Sequence, residues 1–175
     1  MFDITHAKRI IILGNGGSGK STLAARLGDI LQLPVFHLDK YFWHPGWLEP
    51  EPEQWRCKLN ELIQLDQWII DGNYTDTFKE RIERADAVIY LDFSTINCLW
   101  NITGRIIRSY GRVRPDMADG CPEKFDWEFI KWIWEFKKVN HPRILETISK
   151  YNMIDRSIIF KYRKSVNQFI ETLRQ

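Results

Sequence analysis

Arg9-Ile10-Ile11-Ile12-Leu13 runs directly into Gly14-Asn15-Gly16-Gly17-Ser18-Gly19-Lys20-Ser21, and then into a helical pattern with Leu23, Leu27 and Ile30 on one face up to Pro34. A β-branched run, a glycine-rich loop and an amphipathic helix in that order predict strand, loop and helix. The loop spells G-x-x-x-x-G-K-S, the phosphate-binding P-loop. Its spacing has a physical cause. Glycines let the backbone curl until successive N–H groups point inward at a phosphate chain. The helix N-terminus adds its dipole, Lys20 places a charge near the β- and γ-phosphates, and the Ser21 hydroxyl can ligate Mg²⁺. Gly14, Asn15, Gly16, Gly17, Ser18, Gly19, Lys20, Ser21 and Thr22 are the expected nucleotide-binding residues.

Two rivals are weaker. At ordinary glycine frequency, a chance match in a chain this long is well under about one in a hundred. Gly14, Gly16 and Gly19 also spell G-x-G-x-x-G, with Asp39 about 20 residues on, as a dinucleotide fingerprint asks. That reading leaves Lys20-Ser21 unexplained, and 175 residues leave little room for a separate substrate domain.

Away from the loop, composition sets bounds. A chain of 175 residues fits one domain, 1–175, with a sizeable core. A net charge of +2 makes no general electrostatic demand for nucleic acid or membrane. Eight Trp and ten Phe read first as core and helix-packing surface, and only second as base-stacking platforms. Cys57, Cys98 and Cys121 form no C-x-x-C and have no His at zinc-ligand spacing, so they read as thiols in a reducing compartment. Met1-Phe2-Asp3-Ile4-Thr5-His6 lacks the regions of a signal peptide, and no apolar run suits a membrane span. The expectation is a cytoplasmic protein without a membrane partner.

Along the chain, Val35-Phe36-His37-Leu38 predicts a second strand ending at Asp39. The aromatic, proline-broken stretch from Lys40 to Pro52 is too irregular for a strand and too apolar for a linker. Pro52 opens a helix with Trp55, Leu59, Leu62 and Ile63 on one face. Gln67-Trp68-Ile69-Ile70-Asp71 reads as the third strand, followed by the turn Gly72-Asn73-Tyr74. Thr77 and Glu80 suggest a capping box for a short helix, and Ala87 to Asp92 is the fourth strand. A helix from about Thr95 to Ser109 precedes a basic, glycine- and proline-broken region holding Arg105, Arg108, Arg112 and Arg114. Asp126 to Lys138 predicts a helix, with another turn or two leading to Tyr151. Ser157 to Lys161 is the fifth strand, and Ser165 with Gln168 suggests the cap of a last helix. Short apolar strands alternating with helices predict an α/β protein with a parallel sheet covered on both faces.

Several blocks resemble one group. They are the P-loop; Leu38-Asp39 with Trp43-His44-Pro45-Gly46-Trp47; Trp68-Ile69-Ile70-Asp71-Gly72-Asn73-Tyr74; Ala85-Asp86-Ala87-Val88-Ile89-Tyr90-Leu91-Asp92; and Gly120-Cys121-Pro122-Glu123-Lys124. Over nearly its whole length the chain is similar to the bacterial DNA topology modulation proteins, which belong to the adenylate kinase-like P-loop kinases. The resemblance implies the P-loop NTPase fold, a five-stranded parallel sheet of order 2-3-1-4-5, and ATP as phosphoryl donor. It departs from adenylate kinases at Gly16 and Ser21 within the loop. It also departs at Asp71-Gly72-Asn73-Tyr74, where those enzymes carry Asp-Gly-Phe-Pro-Arg with an arginine for a monophosphate acceptor. AMP is therefore in doubt as the acceptor.

The site residues follow from both lines. The resemblance places Asp71 beside the P-loop strand, where a carboxylate can hold the water shell of Mg²⁺ opposite Ser21; a turn aspartate is the plainer alternative. Asp92 is the other acid at a strand end, with helix capping as its plain role. Asp39 stands at the carboxyl end of a strand, where open α/β sheets bind ligands. It can take a proton from an acceptor hydroxyl, hold Mg²⁺, or simply turn the chain. The acceptor-site segment is about 39–65, with Trp43, His44 and Trp47 either lining a pocket or packing. Segment 105–125 corresponds to a lid, in which Arg105 and Arg108 offer planar donors for charge that develops on a transferred phosphoryl group; a solvated basic face or a DNA patch is the alternative. Lys20, Asp39, Arg105 and Arg108 are the expected catalytic residues, and Ser21 and Asp71 the expected metal ligands. The expected activity is ATP- and Mg²⁺-dependent phosphoryl transfer to a small nucleoside, nucleotide or other hydroxyl compound. The alternative, a nucleotide-dependent regulatory or DNA-associated protein, is disfavoured by the near-neutral charge.

Overall fold

A computed structural model describes residues 2–174. β1 (Arg9–Gly14) feeds the P-loop and α1 (Lys20–Leu31), followed by β2 (Val35–His37), α2 (Leu38–Phe42) and α3 (Pro52–Ile63). β3 (Trp68–Asp71), α4 (Phe78–Ile82), β4 (Ala87–Leu91) and α5 (Thr95–Ser109) come next. The chain closes with α6 (Trp127–Lys150), β5 (Ser157–Phe160) and α7 (Arg163–Leu173). The sheet has order β2-β3-β1-β4-β5 with every pairing parallel, as the resemblance implied.

The unbroken isoleucine run of β1 is explained by burial on both faces. Alternate residues point to opposite sides. Ile10 and Ile12, with Ile69 and Ile89, meet Leu23 and Leu27 of α1, Val166 and Ile170 of α7, and Cys98 and Ile102 of α5. Ile11 and Leu13, with Ile70, Val88 and Tyr90, meet Trp55, Leu59 and Leu62 of α3 and Phe136, Ile144 and Ile148 of α6. α6 contributes Ile133 to the first core and Phe136 onward to the second. It therefore passes over the carboxyl end of the sheet, where the P-loop lies.

Five local expectations change. β2 stops at His37, and Leu38, fully buried, starts the short α2, so Asp39 sits in a first helical turn and not at a strand end. The helix expected to pause near Lys138 continues as a single α6 through Pro142. An interior proline costs about 3 kcal/mol; burial of Ile144 and Ile148 beyond it offsets that. Thr77 and Glu80 make no capping box, because the Thr77 hydroxyl donates to the Tyr74 carbonyl at 3.0 Å. α7 begins at Arg163 after Tyr162, which leaves Ser165 inside the first turn. Asp92 caps nothing: Ser94 accepts from the Asn97 N–H, and Asp92 faces Lys137 at 3.3 Å and His141 at 3.5 Å.

Candidate active site

The P-loop is gripped from three sides. Asn15 donates through its side-chain amide to the Ile133 carbonyl of α6 at 2.9 Å and accepts from the Gly16 N–H at 2.8 Å. Asn101 of α5 donates to the Gly17 carbonyl at 2.9 Å. Asn73, just beyond β3, pairs with both backbone groups of Gly14: the Gly14 N–H donates to it at 3.2 Å and its amide donates to the Gly14 carbonyl at 2.8 Å. Glycine is required where these elements approach. A Cβ on Gly16 would meet Ile133 and Phe129 at 2.9 Å, and one on Gly17, which has φ +76°, would collide with the Cys98 carbonyl. Lys20 lies across the loop, its Nζ donating to the carbonyls of Gly14 at 2.9 Å and Asn15 at 3.0 Å. Burial holds its pKa below the ordinary lysine value, against the opposing pull of Asp71 and Asp39.

β3 is β1's neighbour, with Asp71 in register with Ile12, so its carboxylate emerges beside the loop. Asp71 is 4% exposed. One oxygen accepts from the Ser21 hydroxyl at 2.9 Å and the other meets His37 Nδ1 at 2.5 Å. Burial would lower the His37 pKa, but the hydrogen bond and charge of Asp71 outweigh it and the net direction is upward. A hydroxyl beside a carboxylate is an all-oxygen donor pair that suits a hard cation such as Mg²⁺. Among the described residues no group of three His, Cys, Asp or Glu is placed to hold a metal alone. The pair therefore fits a cation delivered with phosphate oxygens.

Across the cleft, Asp39 accepts from the Tyr74 hydroxyl at 2.7 Å. Burial raises the Asp39 pKa, and the Tyr74 bond and the charges of Lys20 and Arg114 only partly oppose that. Tyr74 is wedged between Phe42 and Trp55, with ring centroids at 4.7 and 5.2 Å, and its backbone is left-handed at φ 32°. Arg81 holds it there. This arginine is 0% exposed and donates to the carbonyls of Gly72 (2.8 Å), Tyr74 (3.0 Å), Thr77 (3.3 Å) and Asn73. Burial brings its pKa down to about 10.

The segment expected to act as a lid is held by ion pairs. Arg105 donates to Glu123 at 2.9 Å, Arg114 Nε lies 2.9 Å from the other Glu123 oxygen, and Arg114 Nη1 reaches both oxygens of Asp116 at 2.7 and 2.9 Å. Arg105 also lies over the Phe129 ring. Arg108 is exposed, its guanidinium resting near Gly104 of its own helix. Thr22 is likewise exposed. The aromatic loop packs against this segment: Trp47 donates to the Pro122 carbonyl at 3.1 Å, the Gly46 N–H to the Gly120 carbonyl at 2.9 Å, and Trp43 and Trp47 pack on Met117, Ala118 and Cys121.

Asp71 binds Ser21 directly, and Lys20 lies near enough to Asp71, Asp39 and Arg105 to feel their charges, while Arg108 is exposed. Sequence reasoning missed His37 as the partner of Asp71, Tyr74 as the partner of Asp39, Arg114 as the second lid cation, and Arg81. The Asp71-Gly72-Asn73-Tyr74 block was noted; nothing in it signals that a residue seven positions on binds its carbonyls.

No family model matches the chain. An adenylate kinase 2 from Nostoc sp. is 29% identical over 137 residues, which is 62% of this chain and 71% of that one. Among solved structures, a shikimate kinase from Acinetobacter baumannii in complex with shikimate superposes with a TM-score of 0.62 at 16% identity, covering 97% of this chain and 92% of that one. A shikimate kinase from Bacteroides thetaiotaomicron gives 0.58 at 18% identity, with 96% of each chain covered. A gluconokinase from Sinorhizobium meliloti 1021 gives 0.52 at 14% identity, over 95% and 89%. The chain has the P-loop kinase fold.

Proposed function

We propose that the protein transfers the terminal phosphoryl group of ATP, as its magnesium complex, to a hydroxyl of a small acceptor. One observation carries this reading: the half-buried carboxylate of Asp39 accepts from the Tyr74 hydroxyl at 2.7 Å and feels the charges of Lys20 in the P-loop and of Arg114, so a candidate base lies within reach of a phosphate cation. The acceptor oxygen forms its bond to the γ-phosphorus while the bond from that phosphorus to the β–γ bridging oxygen breaks, and Asp39 takes the hydroxyl proton. Tyr74 orients Asp39 by donating to one of its oxygens, leaving the other for the acceptor. Lys20 swings from the loop carbonyls to the phosphate, and the curled N–H groups bind the phosphate oxygens. Ser21 and Asp71 hold the Mg²⁺, which when bound neutralises charge on those oxygens. The lid arginines stabilise the charge that grows during transfer, and the closed lid keeps water out.

The acceptor we infer is not a nucleoside monophosphate. Arg81, the arginine beside Tyr74, is committed to four backbone carbonyls, and the turn Gly72-Asn73-Tyr74 offers no arginine in its place. Phosphoryl transfer from ATP, as distinct from the choice of acceptor, is supported by the resemblance to the DNA topology modulation proteins and by the adenylate kinase relative. The free thiols are in keeping with a cytoplasmic setting; no helix among the described residues is long and apolar enough to cross a membrane.

³¹P NMR of ATP with a panel of nucleosides, AMP, shikimate, gluconate and simple polyols tests the reading: a new phosphoester resonance is expected. ATP consumed only to inorganic phosphate across the panel, together with salt-dependent DNA binding, would replace it with the DNA-associated alternative. Two substitutions sharpen the test. Asp39→Asn keeps shape, so affinity for a non-hydrolysable ATP analogue should survive while transfer falls by about 10²–10⁴. Because burial raises the Asp39 pKa, the acid limb of the wild-type rate profile should lie above the ordinary carboxylate range and vanish in the variant. Loss of nucleotide affinity with transfer intact would move Asp39 to the nucleotide side. Arg105→Ala should cost turnover about 10²-fold with ground-state binding of ATP little changed, whereas exposed Arg108→Ala stays near wild type. A reduced salt slope for DNA with normal turnover in either variant would favour DNA binding.

A further inference from the structure

The P-loop is built to release its own lysine. Lys20 Nζ donates to two carbonyls, those of Gly14 at 2.9 Å and Asn15 at 3.0 Å. Each of these carbonyls has a second donor that does not depend on Lys20. The Asn15 carbonyl also accepts from the Ser18 N–H at 3.2 Å. The Gly14 carbonyl also accepts from the Asn73 side-chain amide at 2.8 Å. The first of these is backbone, and the curl of the loop supplies it. The second is a side chain brought in from beyond β3, 59 positions along the chain. Asn73 is fixed there by groups other than Lys20. Its Oδ1 accepts from the Gly14 N–H at 3.2 Å, which turns its NH₂ toward the Gly14 carbonyl. Arg81 binds the Asn73 carbonyl, and the Gly72 N–H just before it donates to the Ile12 carbonyl at 3.3 Å.

Gly14 and Asn15 are both buried, and a buried carbonyl stripped of its donor is destabilising. Were Lys20 the sole donor, its move to a phosphate would leave the Gly14 carbonyl bare. We propose that Asn73 is a positioning residue for nucleotide binding: it keeps the Gly14 carbonyl hydrogen-bonded when Lys20 leaves, and so frees the lysine for the phosphate. The inference rests on the phosphoryl-transfer reading above, in which Lys20 makes that move. Its two hydrogen bonds then have separable effects. The bond from the Gly14 N–H is needed with and without nucleotide, so losing it lowers stability and leaves affinity alone. The bond to the Gly14 carbonyl becomes indispensable only once Lys20 has gone, so losing it falls on affinity. Nucleotide affinity should therefore depend on Asn73 only in a protein that has Lys20.

A double-mutant cycle on the whole chain tests this dependence. Calorimetry measures binding of a non-hydrolysable ATP analogue with Mg²⁺ to wild type, Asn73→Ala, Lys20→Ala and the double variant. With Lys20 present, Asn73→Ala should weaken the analogue about 10-fold, the effect of one orphaned buried carbonyl. In Lys20→Ala protein the Gly14 carbonyl is in the same state before and after binding. There the same substitution should change affinity by less than about 2-fold. Asn73→Ser, whose hydroxyl is too short to span both backbone groups of Gly14, should show the same pattern and stands in where the alanine variant does not fold. Equal losses with and without Lys20 overturn the assignment and make Asn73 a scaffold for the loop alone. Unchanged affinity in both backgrounds, or tighter binding, also overturns it. Wild-type protein that does not bind the analogue at all would instead refute the phosphoryl-transfer reading, a result distinct from additivity in the cycle.

Discussion

Lys20→Ala is expected to abolish ATP turnover while leaving the protein folded with an unchanged or slightly raised melting temperature. The two halves have one cause. Without nucleotide, Lys20 is a half-buried ammonium, its pKa depressed by desolvation and its Nζ bonded to two P-loop carbonyls. Removing a charge from such a place relieves a desolvation cost that the two bonds roughly offset. With nucleotide, the same group loses its carbonyls and gains phosphate oxygens. That charge-assisted contact is worth about 1.5–3 kcal/mol in the ground state. More is lost in the transition state, where charge shifts toward the β–γ bridge, so turnover should fall by at least about 10²–10³. Calorimetry with the non-hydrolysable analogue and steady-state turnover read the two effects separately. Wild-type turnover in the folded variant would show that the loop does not serve ATP chemistry.

That much was legible because it is local. Strand, loop and helix are adjacent in sequence, and each carries its own pattern: β-branched residues at 10–12, glycines at 14, 16, 17 and 19, apolar residues at 23 and 27. Asp39 and Asp71 were legible as acids at the carboxyl ends of expected strands. What joins them was not. Tyr74 reaches Asp39 across 35 positions, His37 reaches Asp71 across 34, and Trp47 reaches Pro122 across 75. Such pairs follow from strand order and from how the lid lands, and no window of sequence contains them. The short α2 was hidden for a related reason: Leu38 turns into a helix because the second core receives its side chain, a tertiary demand that overrides strand propensity. The continuity of α6 past Lys138 has the same kind of cause, since Pro142, a breaker by itself, is outweighed by the buried face that continues past it.

Arg81→Met should produce the largest loss of stability of any substitution considered, and it should do so through backbone carbonyls. The guanidinium is wholly buried and makes hydrogen bonds to Gly72, Asn73, Tyr74 and Thr77. Methionine fills comparable volume and removes the buried charge, so packing and desolvation favour the variant. Against this stand four carbonyls that each lose a donor, of which that of Tyr74 keeps the N–H and hydroxyl of Thr77. A buried group stripped of its partner costs about 1–3 kcal/mol, and partial relaxation of the turn makes the sum roughly 3–5 kcal/mol. For a domain of this size that is a melting-temperature drop of about 6–20 °C. The damage should reach the site as well. Tyr74 holds a left-handed backbone that an L-residue adopts only under constraint, and releasing it withdraws the hydroxyl from Asp39. Phosphoryl transfer should therefore fall even at temperatures where the variant is fully folded, while affinity for the ATP analogue, set by the P-loop, changes little. Arg81→Lys keeps the charge but has no planar fork to span several carbonyls, so it should recover only part of either loss. Thermal melts paired with transfer assays at low temperature decide the matter. A loss under about 1 kcal/mol, within the range of ordinary surface changes, would mean that the turn holds its own shape and that Tyr74 needs no clamp.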